Sequence, residues 1–122
     1  MKKIDRKVIL IVEDNFLSGY LLGKYISGAN HGVVWAQNGR EAVEICRTNP
    51  EVSMVLMDIT LPVMDGIEAT QKIKEIRKDL PVVIHTPYSH LCKSGMESGC
   101  DEFLNKTMDK EIILYLIQKY LN

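Results

Sequence analysis

Two short apolar runs in this chain stop abruptly at acidic residues. Val8-Ile9-Leu10-Ile11-Val12 ends at Glu13-Asp14-Asn15, and Val55-Leu56-Met57 ends at Asp58. A strand covered on both faces reads as an unbroken apolar run, so both are predicted to be interior strands of a parallel sheet. An open α/β sheet places its ligands at the carboxyl ends of its strands. Glu13, Asp14 and Asp58 are therefore expected at one edge. Three carboxylates there repel one another, and a divalent cation between them removes the repulsion. The two runs together predict a metal pocket with a nucleophilic aspartate inside it.

The rest of the chain alternates in the same way. A helix is predicted over 15–27, and a short strand over 33–36 follows the His31-Gly32 turn. Asn38-Gly39 opens a helix with Ala42, Val43 and Cys46 on one face. The third strand covers 52–57. Gly66 starts a helix with Ile67, Thr70, Ile73 and Ile76 at helical spacing, and Pro81 stops it. Strands over 82–85 and 103–105 flank a weak helical segment over 89–98, where Gly95 disfavours helix. The last helix, over 109–121, turns Ile112, Ile113, Leu116, Ile117 and Tyr120 to the core and Leu114 and Tyr115 away from it. Five β/α repeats imply an α/β fold with helices on both faces of a five-stranded parallel sheet, in order 2-1-3-4-5. Gly19 and Gly23 have a small-residue spacing that reads as close packing.

A chain of 122 residues with 46% apolar content can bury its own core, and one domain over 1–122 is expected. The net charge of −1 supplies no basic surface for nucleic acid. No apolar run is long enough for a membrane span, and Met1-Lys2-Lys3 is too short for a leader. Cys46, Cys92 and Cys100 have no paired spacing, which suits reduced thiols in the cytoplasm. His85, His90 and Cys92 lack a fourth residue at a recognised zinc spacing.

Four strand ends carry the candidate chemistry. The first supplies Glu13 and Asp14, the third Asp58, the fourth Thr86 and the fifth Lys106. A carboxylate can attack phosphorus to give an aspartyl phosphate. That reaction needs charge stabilisation on three equatorial oxygens. Mg²⁺ on carboxylates, a lysine ammonium and a hydroxyl donor together provide it.

These residues resemble the receiver domain of two-component response regulators over nearly the whole chain. Glu13-Asp14-Asn15 is similar to the acidic metal-binding segment, Asp58 to the phosphoacceptor, and Leu61-Pro62-Val63-Met64-Asp65-Gly66 to the loop and helix start after it. Thr86 is similar to the switch hydroxyl, Phe103 to the switch aromatic and Lys106 to the phosphate-contacting lysine. Thr60 occupies the position whose backbone carbonyl completes the metal shell. The resemblance implies a flavodoxin-like (βα)5 sandwich that uses Mg²⁺, with Mn²⁺ able to substitute. It implies a histidine kinase or phosphotransfer protein as phosphoryl donor. It also implies a homodimer or output partner on the face made by the fourth helix, fifth strand and last helix. No separate substrate turnover is implied. The sequence looks most like receivers of hybrid histidine kinases or single-domain regulators.

Three departures from that pattern motivate an alternative, a degenerate receiver that binds partners without phosphorylation. Pro87 and Tyr88 follow Thr86, where a small residue is usual. Thr107 follows Lys106, where a proline after a cis bond is usual. The segment from Thr86 to Lys106 is about two residues short, so the fourth helix is expected to be short or irregular. A haloacid-dehalogenase-like phosphatase needs an aspartate where Thr60 stands. An FMN binder needs a phosphate loop where Glu13-Asp14 would repel it.

Overall fold

The apolar runs form the strands they predict. The computed structural model describes residues 7–106 and 109–121. Its elements are β1 (Val8–Val12), α1 (Phe16–Gly28), β2 (Gly32–Ala36), α2 (Gly39–Thr48), β3 (Val52–Met57), α3 (Gly66–Ile76), β4 (Val82–Thr86), α4 (Cys92–Glu97), β5 (Glu102–Asn105) and α5 (Lys110–Leu121). A single 3-10 turn, Ser89–Leu91, leads into α4. The sheet is parallel in the expected order 2-1-3-4-5. Thr107 lies outside the described residues.

Alternation along the inner strands divides the core in two. Leu10, Val12, Val55, Met57, Val82 and Ile84 face one way and pack with residues of α2 and α3. Ile9, Ile11, Met54, Leu56 and Val83 face the other way and pack with Leu22 and Ile26 of α1 and Ile113, Leu116 and Ile117 of α5. Register then sets the height of the site. Val12 pairs with Met57, so Glu13 and Asp58 leave neighbouring strands at the same level.

Three apolar positions differ from the periodicity reading. Ile76 and Ile112 are 45% and 44% exposed. Ile76 is the last residue of α3 and Ile112 lies in the first turn of α5, so both exposed positions fall at helix ends. Leu114, by contrast, packs against the α1–α5 side of the core. The fourth helix has six residues, as short as expected. Gly95 has a role there: a Cβ on it would come within 2.5 Å of the Phe103 ring, so α4 can approach β5 only with glycine at that place.

The loop from Asp58 to α3 is held by the backbone. Gly66 N–H donates to the Ile59 carbonyl at 2.9 Å, and a Cβ on Gly66 would lie 2.0 Å from the Asp58 carbonyl oxygen. Asp65 caps α3 by accepting from Glu68 N–H at 2.9 Å. Within this loop Val63 has φ +69° and is 76% exposed. A β-branched residue in the left-handed region is strained, and this one has little buried contact to offset the strain. Val63→Asn should therefore raise stability by about 1 kcal/mol, read as a higher urea midpoint at unchanged m-value. An unchanged or lower midpoint would show that the Val63 side chain contributes more than its backbone costs.

Candidate functional site

The first acidic residue is placed by its backbone. Glu13 N–H donates to the Ala36 carbonyl at 3.0 Å, which extends the β1–β2 ladder by one step. Its own carbonyl accepts the indole N–H of Trp35 at 2.7 Å. The Trp35 ring lies over Gly19, where a Cβ would meet it at 2.3 Å. The Glu13 carboxylate is fully buried, and Oε2 accepts Asn15 N–H at 3.2 Å. Asp14 is exposed beside it. The acids do not cap α1: Asn15 does, accepting Ser18 N–H at 3.0 Å. That frees Glu13 and Asp14 from the ordinary structural role for acids at a helix start.

Asp58 follows β3 and is 5% exposed. Its N–H donates to the Val12 carbonyl at 3.1 Å, and Oδ1 accepts Ile59 N–H at 2.8 Å. Lys106 arrives from beyond β5, anchored by its N–H to the Thr86 carbonyl at 3.0 Å. The Lys106 ammonium donates to Glu13 Oε1 and lies 3.2 Å from Asp58 Oδ2. It thus ties β1, β3 and β5 together across the end of β4.

Carboxylate oxygens of Glu13, Asp14 and Asp58 lie within 4.8 Å of one another. Mg²⁺ binds oxygens at about 2.0–2.1 Å in an octahedron and keeps several waters. Three oxygens this close, open to solvent on the Asp14 side, fit part of such a shell. Burial pushes the Glu13 carboxyl up; the Lys106 hydrogen bond and the Asn15 N–H oppose the rise, and the Asp58 charge adds to it. The rise expected from clustered carboxylates thus falls on Glu13, with desolvation ahead of repulsion as its cause. Burial pulls the Lys106 ammonium down, but the Glu13 hydrogen bond and both carboxylate charges outweigh it, leaving Lys106 raised. Thr60 is exposed in the loop two residues past Asp58.

Thr86 ends β4 with its side chain fully buried, and Oγ1 accepts Tyr88 N–H at 3.2 Å across Pro87. Phe103 is half-buried on β5 and packs on the core beside Gly95. The structure therefore gathers Glu13, Asp14, Asp58 and Lys106 into one cluster, with Thr86 on the adjoining strand and Phe103 behind it. His85, His90 and Cys92 do not form a metal-ligand group among the described residues. Sequence reasoning missed Trp35 as the support of Glu13 and Gly95 as the seat of Phe103. It weighed His85 as a zinc ligand and set it aside as a strand residue; the structure buries that side chain without a partner for either ring nitrogen among the described residues.

A family model described as the response regulator receiver domain matches residues 9–118. A cyclic di-GMP phosphodiesterase from Thermotoga maritima is 34% identical over 107 residues, covering 86% of this chain and 28% of that protein. Hybrid signal transduction histidine kinase M from Dictyostelium discoideum is 31% identical over 122 residues, covering 91% of this chain and 5% of that one. The chain thus spans less than a third of these relatives. Among solved structures, the response regulator TrrA from Thermotoga maritima, in complex with Mg²⁺ and BeF, superposes with a TM-score of 0.87 at 26% identity. That superposition covers 94% of this chain and 99% of TrrA. With the 2-1-3-4-5 sheet and the acidic cluster at its edge, the chain belongs to the receiver domain family of two-component response regulators.

Proposed function

We propose that the 122 residues form one receiver domain in which Asp58 accepts a phosphoryl group from a phosphohistidine of a histidine kinase or phosphotransfer protein. The observation that carries this reading is the Glu13–Asp14–Asp58 cluster with the Lys106 ammonium already on two of its members. A carboxylate oxygen of Asp58 forms the new bond to phosphorus as the bond from phosphorus to the donor imidazole nitrogen breaks. Glu13, Asp14, Asp58 and the Thr60 carbonyl would hold Mg²⁺, or Mn²⁺ in its place. When bound, the cation offsets the negative charge gathered on the phosphoryl oxygens. Lys106 moves its ammonium from Glu13 to a phosphoryl oxygen, and the Thr86 hydroxyl donates to another. Phe103 then repacks, and the populations of two pre-existing states shift.

The domain promotes its own phosphorylation and dephosphorylation, with no separate substrate. Its setting is cytoplasmic, in keeping with free thiols at Cys46, Cys92 and Cys100; among the described residues no helix is long and apolar enough to cross a membrane. The output partner, or a second copy, would meet the α4–β5–α5 face, where Met96, Ile112 and Tyr115 are exposed. The acidic cluster favours this reading over a degenerate receiver, which has no use for buried carboxylates held by a lysine.

Acetyl phosphate with Mg²⁺ should add one phosphate to the protein, and Asp58→Asn should abolish it. Label that survives in Asp58→Asn, or maps to another residue, overturns the assignment.

Asp14→Ala should remove Mg²⁺ binding while leaving the metal-free melting temperature unchanged or higher, because Asp14 adds negative charge without capping a helix. Trp35, the only tryptophan, reports binding through its bond to the Glu13 carbonyl. A marked loss of metal-free stability would instead make Asp14 structural. In the parent, Mg²⁺ affinity should fall with pH from above the ordinary carboxylate range, since protons compete for a Glu13 whose pKa is raised. Glu13 holds its proton more tightly folded than unfolded, so its contribution to metal-free stability has the opposite slope and declines as pH rises through that value. A titration in which affinity stays flat until the ordinary range would remove Glu13 from the metal shell.

A further inference from the structure

Every residue of β4 is buried, and all but two of its side chains are apolar. Thr86 has its place at the strand end; His85, one residue earlier, has no evident reason to be polar. It is 2% exposed, and neither ring nitrogen has a hydrogen-bond partner among the described residues. Buried polar side chains without partners are rare, and each calls for an explanation. A leucine there would leave nothing unpaired.

Strand geometry places the ring. Val82 and Ile84 face the α2–α3 side of the core and Val83 faces the α1–α5 side, so His85 shares the side of Val83. Ile84 pairs with Met57, which brings His85 level with Asp58 on one neighbour. His85 itself pairs with Leu104, two residues before Lys106 on the other. The imidazole therefore lies beneath the gap that the Lys106 side chain spans to reach Asp58. Burial pushes its pKa down to about 4, with the Asp58 charge opposing and the Lys106 charge assisting. The ring is neutral at neutral pH, with one N–H and one free lone pair.

A lysine ammonium has three donors. Here Glu13 and Asp58 take two of them. When Lys106 turns from Glu13 to the phosphoryl group, that donor goes to the phosphoryl oxygen, and the third donor swings to a new direction on the side where His85 lies. We propose that His85 is a positioning residue, whose neutral imidazole accepts a hydrogen bond from Lys106 once that ammonium leaves Glu13 for the phosphoryl group on Asp58. The proposal rests on the phosphoacceptor reading above. It assigns His85 no contact with phosphate or metal; the ring fixes the direction from which Lys106 meets them.

The test uses the intact protein with ¹⁵N-labelled histidine and two variants. Saturating Mg²⁺ with beryllium fluoride, an unreactive phosphoryl mimic, should move one ring nitrogen of His85 upfield as it gains a donor, while His31 and His90 stay in place. His85→Leu should slow labelling by acetyl phosphate roughly tenfold, the scale of losing a supporting hydrogen bond to an active group, with Mg²⁺ affinity at Trp35 unchanged. His85→Gln, whose amide oxygen can accept the same bond, should restore most of the rate. The proposal is overturned by unshifted His85 nitrogens, by a Leu variant as fast as the parent, or by a Gln variant as slow as Leu. Should the Leu variant fail to fold, the nitrogen shifts of the parent decide alone. A parent that takes no phosphate at all overturns the phosphoacceptor reading instead, whereas normal labelling of both parent and Leu variant overturns only the role of His85.

Discussion

The Lys106 ammonium, held between Glu13 and Asp58, is the contact on which the ligand edge depends. Two acids leave adjacent strands at one level because Val12 pairs with Met57. Both are almost completely buried. Carboxylates so placed cannot both stay ionised without a compensating charge. Lys106 supplies it from the far side of β4. Breaking a buried charge pair by removing one partner costs roughly 3–5 kcal/mol, because the other charge is stranded. A divalent cation would offer the same compensation from the solvent side, next to Asp14. In the proposed function, lysine and metal would thus be alternative neutralisers of the same acids. The more of that charge a cation takes over, the less firmly Glu13 holds Lys106. Metal binding and release of the lysine toward phosphate, as proposed above, would then follow from one electrostatic exchange.

That exchange needs the acids to stay in place while their partners change, and backbone contacts provide this. Asp58 N–H is fixed to the Val12 carbonyl, and the Glu13 carbonyl is fixed to the Trp35 indole. Gly66 presses α3 against the Asp58 carbonyl at a distance no side chain allows. The intervening loop is pinned at both ends, so a strained Val63 is tolerated at its exposed tip. Such strain persists only where the surroundings over-determine the backbone. Here the surroundings are the Gly66 N–H on the Ile59 carbonyl and the Gly39 N–H of α2 on the Met64 carbonyl next to Val63.

The sequence made the strands and the acidic edge legible because burial on both faces leaves an unambiguous mark. The runs 8–12 and 52–57 match β1 and β3 to the residue. The Asp58 and Glu13 positions were readable as the places where those runs stop. Helix faces were less legible at their ends. Ile76 and Ile112 continue an apolar period into exposed helix ends, and Leu114 packs inward on the side where α1 and α5 touch. Contacts between elements left no periodic mark at all. Nothing in a linear reading joins Trp35 to Glu13, or Gly95 to Phe103. Gly95 reads as a helix breaker; in the fold it is the gap that a ring fills.

The same gap shapes how a change at Asp58 can reach the rest of the molecule. In the proposed switch Thr86 turns toward the phosphoryl group and Phe103 moves into the room it leaves. The Thr86 hydroxyl already accepts Tyr88 N–H, the first available donor after a proline that has none. Turning Thr86 away forfeits that bond, a net cost of about 0.5–1.5 kcal/mol. It also frees the start of the Ser89–Leu91 turn that leads into α4. Phe103 is lodged against Gly95 of α4 and Ile84 of β4, so the ring cannot swing far unless α4 moves with it. Both routes converge on a helix of six residues, whose few turns of backbone bonding offer little resistance to displacement. The short α4, a departure from the family pattern, lowers the cost of the movement that the proposed switch asks for. With Thr86 tethered to its entry and Phe103 lodged against its middle, a helix this short would follow both in the proposed switch at little cost.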